Sequence, residues 1–137
     1  MNYWLIKSEP DAYSWDQLVK EKETFWSGVR NYAARNNLKA MKKGDLAFFY
    51  HSNEGKDIVG IAKVVKEHYP DATAKEGEWY GVDFAACKPM KKPITLEQIK
   101  KEPSLKTMEL LRIARLSVSK VSAKEFEKIL QMGETKI

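Results

Sequence analysis

Lys7, Glu9 and Asp11 place a primary amine and two carboxylates close together near the start of the chain, and His51 adds an imidazole. A deprotonated amine is a nucleophile, while carboxylates and imidazole exchange protons, so these types could serve covalent or acid–base chemistry. Beside Pro10, however, Glu9 and Asp11 serve equally as turn formers ahead of Ser14. A single His at the end of an apolar run reads as a hydrogen-bonded strand-end residue, and His68, before Tyr69-Pro70, reads as loop. Cys87 lies in an apolar run and reads as a buried structural thiol. One Cys forms no internal disulfide, and two His with one Cys are too few for a typical structural zinc site. Neither GxGxxG, P-loop, HExxH nor GxSxG occurs, so nucleotide cofactors and the standard hydrolase layouts lack support. No catalytic residue, cofactor or metal is therefore expected. What does stand out is aromatic residues beside basic ones: Trp26 ahead of Arg30, then Tyr32 and Arg35. Flat rings stack on bases at ~1–3 kcal/mol each, while Arg and Lys engage phosphates. Trp4 and Trp15 read as core. Trp26, between Phe25 and the small pair Ser27-Gly28, is expected to be partly exposed.

These residues must be carried by elements that periodicity and capping signals outline. Tyr3 to Ile6 suits a buried strand. Ser14-Trp15-Asp16-Gln17 reads as a capping box that opens a helix with Leu18 and Val19 inward, and Thr24 to Trp26 reads as extended. Ala34, Leu38 and Met41 share one helical face; Arg35, Lys39 and Lys42 repeat the same spacing on another, and Gly44 is the expected stop. Residues 45–51 and 58–65 read as two strands of a hairpin, with Gly60 marking a bulge or a close backbone approach. Strands are expected at Trp79 to Cys87 and Leu116 to Val118. Capping boxes at Thr95 and Ser122 open two further helices, the first ended by Pro103, the second burying Phe126, Ile129 and Leu130 and followed by Gly133. Strands mixed with short, irregularly placed helices predict an α+β fold around a curved sheet or small barrel.

The chain carries 24 Lys and Arg against 19 Asp and Glu, a net charge of +5 with a pI near 9.2. The excess is local. Residues 28–44 hold five basic residues and no acid, which fits an anionic partner, most commonly nucleic acid. The length suggests one domain over residues 1–137. The start lacks the pattern of a signal peptide, and no apolar run reaches the ~20 residues of a membrane span. A cytoplasmic monomer that binds no membrane is expected.

Four blocks in order look like the EVE domain: Tyr3-Trp4-Leu5-Ile6-Lys7-Ser8-Glu9-Pro10-Asp11; Trp26-Ser27-Gly28-Val29-Arg30-Asn31-Tyr32-Ala33-Ala34-Arg35-Asn36; Phe49-Tyr50-His51-Ser52-Asn53 with Val59-Gly60-Ile61-Ala62; and Leu111 to Val118. The resemblance spans essentially the whole chain. It implies a PUA-like fold, a mixed β pseudo-barrel flanked by short helices, with kinship to YTH domains. It also implies a nucleic-acid-binding module, for DNA or RNA, that reads a modified base flipped into an aromatic pocket, modified cytosine being the usual proposal. Matched position by position, Lys7 and Ser8 would line the base pocket, Trp26 would form its first aromatic wall, and Arg30 and Asn31 would stand at the mouth. His51, Ser52 and Asn53 would come from a second strand end, and Arg115 and Ser117 from a late strand. The chain departs from the family where Tyr69-Pro70-Asp71 is followed closely by Trp79, without the longer insertion that members commonly carry. Trp79 could then supply the second aromatic wall or start a strand in the core. Arg35, Lys39 and Lys42 would contact phosphates. A bacterial member would sit with the nucleoid, a eukaryotic one in the nucleus. Two other functions remain in view: a small hydrolase of modified nucleosides, like relatives in the ASCH group, using Lys7, Glu9 and His51; and a peptide-binding module using the same cleft.

Overall fold

The computed structural model describes residues 1–137. Six strands and five short helices follow one another as β1 (Tyr3–Ser8), α1 (Trp15–Glu21), β2 (Glu23–Phe25), α2 (Tyr32–Ala40), β3 (Leu46–His51), β4 (Asp57–Pro70), β5 (Tyr80–Thr95), α3 (Leu96–Lys101), α4 (Glu109–Arg112), β6 (Val118–Val121) and α5 (Ala123–Met132), with a 3₁₀ turn at Pro103–Leu105. The strands form one mixed sheet in the order β2-β5-β4-β3-β1-β6. Only β1 and β3 are parallel, and the other pairs are antiparallel. This is the α+β architecture expected from the sequence.

Alternation along the central strands divides the core into two layers, one on each face of the sheet. Trp4, Ile6, Ala47 and Phe49 face α1 and α2, where they meet Trp15, Leu18, Ala34, Leu38 and Met41. The intervening Leu5, Leu46, Phe48 and Tyr50 face α3, α4 and α5, where they meet Ile99, Leu110, Phe126 and Ile129. A period of two sends neighbouring side chains to opposite faces, and covering both faces lets β1 and β3 be almost wholly apolar. Register shifts along the β4–β5 pair, and one between Phe49 and Tyr50 opposite Gly60, bend the sheet. At Gly60 a Cβ would lie 2.4 Å from the Trp15 ring, so the glycine serves both roles expected of it.

Several boundaries differ from expectation, each because a distant partner decides it. Helix α2 stops at Ala40, well before Gly44. Met41 turns extended and buries its side chain, while the buried Asp45 carboxylate accepts hydrogen bonds from the backbone N–H of Lys42 and from the indole of Trp4. Lys42 therefore lies beyond the helix. Strand β4 runs on to Pro70, so His68 is strand and not loop. Tyr69 pairs with Gly81 and donates a 2.5 Å hydrogen bond to Asp83; burial first, and then the Asp83 carboxylate, push the phenol up to about 12. Strand β5 starts at Tyr80 and continues to Thr95. Strand β6 begins at Val118, where pairing with Ile6 becomes possible. Cys87 is exposed, not buried: it is the extra residue between the Ala62–Ala86 and Ile61–Lys88 pairs, and a bulged residue turns outward. Val19 is also exposed, since the seven-residue α1 buries Leu18 and Trp15 on one face only. The boxes at Thr95 and Ser122 form in full. At Ser14 only the hydroxyl half forms, because the Gln17 side chain bonds Glu21 instead.

Candidate functional site

A cleft of about 490 Å³ opens where the ends of β1 and β2 meet the loop into α2. Lys7 and Ser8 come from the end of β1, Trp26 and Arg30 from the segment after β2, and Ser117 from the approach to β6. The parallel β1–β3 pairing and the hydrogen bond from the Lys7 N–H to the Ser117 carbonyl at 2.9 Å hold this rim together. Sequence separation between these residues is large, so only the sheet order brings them to one mouth.

Trp26 lines the cleft from a buried position. It is 9% exposed, against the partial exposure expected. Tyr13, Phe49 and Phe84 surround its ring edge-to-face at 5.6 to 6.0 Å, which fixes its orientation. Tyr13 and Phe25, which the sequence did not mark, supply the rest of the aromatic lining. The Ser8 hydroxyl donates to the Tyr13 carbonyl at 2.5 Å and so ties that loop to the strand end. Lys7 Nζ donates to the Ala114 carbonyl at 2.7 Å, and its half-burial lowers the pKa of the amine below the usual lysine value. A partly desolvated cation, the hydroxyl-bearing side chains of Ser8, Ser27 and Ser117, and aromatic rings line this cleft, groups of the kind that suit a flat polar ring.

Arg30 stands at the mouth, held by a network the sequence did not reveal. Its Nη1 donates to Asp71 Oδ2 at 3.0 Å and its Nη2 to Thr73 Oγ1 at 3.1 Å. The Asp71 side chain is fully buried, and it also accepts from the Gly28 and Thr73 N–H groups and the Thr73 hydroxyl. Burial alone would raise this carboxyl, but the hydrogen bonds from Thr73, Gly28 and Arg30 prevail and hold it at about 2. Asp71 thereby fastens the turn after Trp26 to the β4–β5 connection.

The other expected base-pocket residues lie outside the cleft. Asn31 is the N-cap of α2, its Oδ1 accepting from the Ala34 N–H at 3.0 Å. His51 Nε2 accepts from the Trp15 N–H at 3.1 Å, which places it under the start of α1. The Ser52 N–H donates to the Ser8 carbonyl, so Ser52 supports a lining residue from outside the cleft. Asn53 donates to Glu9 Oε1 at 2.8 Å, so it steadies a cleft residue without lining the cleft. Arg115 is exposed and outside the lining. Trp79 does not form a second wall either: it stacks on Tyr32 outside the mouth, with ring centroids 5.2 Å apart. Of the expected phosphate contacts, Arg35 lies 4.9 Å from the Tyr32 centroid, Lys39 lies 5.0 Å from that of Tyr80, and Lys42 is solvent-exposed.

No group of three His, Cys, Asp or Glu side chains comes together that could hold a metal ion, and no helix is long and apolar enough to cross a membrane. The family model of the EVE domain matches residues 2–132. Thymocyte nuclear protein 1 of Mus musculus is 41% identical over 168 residues, which cover 98% of this chain and 74% of that protein. An X-ray structure of a protein from Agrobacterium tumefaciens is similar at a TM-score of 0.95 with 46% identity, covering 98% of this chain and 94% of that one. The crystal structure of human THYN1 protein in complex with 5-methylcytosine-containing DNA is similar at a TM-score of 0.91 with 35% identity, and the whole of both chains is covered.

Proposed function

This chain belongs to the EVE domain family, and on that premise we propose that it is a non-catalytic nucleic-acid-binding module that accepts a modified cytosine, flipped out of its strand, in the cleft above Trp26. The observation that carries this reading is the convergence of Lys7, Ser8, Trp26, Arg30 and Ser117 on one cleft of about 490 Å³, a volume within the usual range for a small-ligand pocket. The similar human protein bound to 5-methylcytosine-containing DNA supports cytosine as the base. A flipped base would be received against the Trp26 and Phe25 edges, with Lys7 and the hydroxyls of Ser8 and Ser117 as the polar groups that read its edge. Arg30, oriented by Asp71, would meet the backbone at the mouth.

The test is a titration of DNA oligonucleotides that carry 5-methylcytosine or plain cytosine at one position, followed by tryptophan fluorescence. Preference for the methylated strand is expected, and Lys7→Met, whose side chain fills nearly the same space, should weaken binding at least severalfold. Equal affinity for both strands overturns the reading. Mass analysis of the bound nucleotide after incubation distinguishes the hydrolase alternative, because a reader returns its ligand unchanged.

A further inference from the structure

We propose that the Tyr32–Trp79 stack is a second nucleobase subsite, which takes the nucleotide adjacent in the strand to the one held in the cleft; this rests on the base-reading function above. Tyr32 opens α2 and is 67% exposed, and no other Phe, Trp or Tyr of the chain stands so far out in solvent. Its ring is nevertheless held. It lies nearly parallel to Trp79, at 21°, with centroids 5.2 Å apart. The Arg35 guanidinium is 4.9 Å from the Tyr32 centroid and 5.5 Å from that of Trp79, and it donates to the Glu78 carbonyl at 3.0 Å. An exposed ring already fixed in orientation loses little freedom when a base stacks on it, which is the property of a stacking platform in single-strand recognition.

The platform adjoins the cleft. Arg30, which stands at the cleft mouth, brings its guanidinium within 5.7 Å of the Trp79 centroid, so a single side chain separates the two sites. A base in the cleft and its neighbour on Tyr32 would leave the connecting phosphate beside Arg30 and Arg35, both permanently charged. Residues 28–44, which hold five basic side chains and no acid, supply this surface. The same geometry accounts for the failure of Trp79 to enter the cleft: its partner is Tyr32, on the outer side of Arg30.

The experiment crosses the protein with the strand. Wild type, Tyr32→Ala and Tyr32→Phe are titrated with single-stranded oligonucleotides that carry one 5-methylcytosine and either an intact neighbour or an abasic site on its 5′ or its 3′ side. Tyr32→Ala should lower affinity for the intact strand about tenfold while leaving the ratio of methylated to plain binding unchanged, and Tyr32→Phe should retain wild-type affinity. The abasic site on one side should cost wild type as much as Tyr32→Ala does, and the two losses should not add. Additive losses on both sides, or affinity within twofold of wild type for Tyr32→Ala, overturn the subsite and leave the cleft reading standing. Absence of any methyl preference in wild type overturns the cleft reading, and the subsite with it. A thermal melt of Tyr32→Ala at the wild-type temperature separates this role from a purely structural one.

Discussion

Asp71 is the residue on which the cleft mouth depends. Its carboxylate sits out of water and accepts hydrogen bonds from Gly28, Arg30 and Thr73, so removing its charge leaves buried donors without their partner. The folded-state pKa, about 2, lies below the ordinary value of 3.8. The stabilisation this represents, about 2 kcal/mol, is therefore complete above pH 4 and disappears as the pH falls from about 4 towards 2. Asp71→Asn should destabilise the fold by that order, measured by urea unfolding at pH 7. The difference between the variant and wild type should shrink when the measurement is repeated near pH 2.5. Asn31 makes a contrasting case. As the N-cap of α2, Asn31→Ala should cost about 1 kcal/mol of stability, while Asn31→Ser, which caps equally well, should restore both stability and oligonucleotide affinity. A base-reading Asn would not be replaced by Ser.

At the scale of elements, α1 matters more to the cleft than its length suggests. Trp15 packs directly on Gly60 of β4 and edge-on to Phe49, and the His51 ring accepts its backbone N–H. The segment leading into α1 carries Tyr13, which lines the cleft and touches Trp26. A methyl group at position 60 would meet the Trp15 ring at 2.4 Å, so Gly60→Ala must displace α1. The expected outcome is a loss of about 1–3 kcal/mol in thermal unfolding, together with weaker binding of the methylated oligonucleotide, although residue 60 lies outside the cleft. The bond also agrees with the reading of His51 from its position as a hydrogen-bonded strand-end residue, whereas the resemblance had placed it at the pocket.

For the molecule as a whole, the charge distribution sets how the partner is held. Arg35 lies against the Tyr32–Trp79 pair, Lys39 lies against Tyr80, Lys42 is exposed, and none of the three lines the cleft, so they should bind phosphate irrespective of base identity. Replacing Lys39 and Lys42 together by Glu should weaken methylated and plain strands by the same factor. The slope of log affinity against log salt should fall by about 0.7 for each phosphate of a single strand that the variant no longer neutralises. Fluorescence titration at three salt concentrations reads both quantities, and a change in methyl preference would place these lysines in base recognition.

Local patterns in the sequence were enough to identify the apolar strands of β1 and β3, the caps at Ser14, Thr95 and Ser122, and the packing role of Trp4, Trp15, Ala34 and Leu38. Each depends on neighbours within a few residues, where periodicity and capping chemistry act. The resemblance further pointed to Lys7, Ser8, Trp26, Arg30 and Ser117, which line one cleft. It could not separate them from Asn31, His51 and Asn53, which stand in the same blocks but spend their side chains on α2, α1 and Glu9. Nor did any local signal mark Asp71, whose partner Arg30 is 41 positions away, or the Tyr32–Trp79 stack, which joins a helix start to the approach of a distant strand. Those pairings exist only once the sheet order β2-β5-β4-β3-β1-β6 has brought remote segments together. Which face of a residue is free for a ligand is a property of that packing, so it was decided by tertiary structure alone.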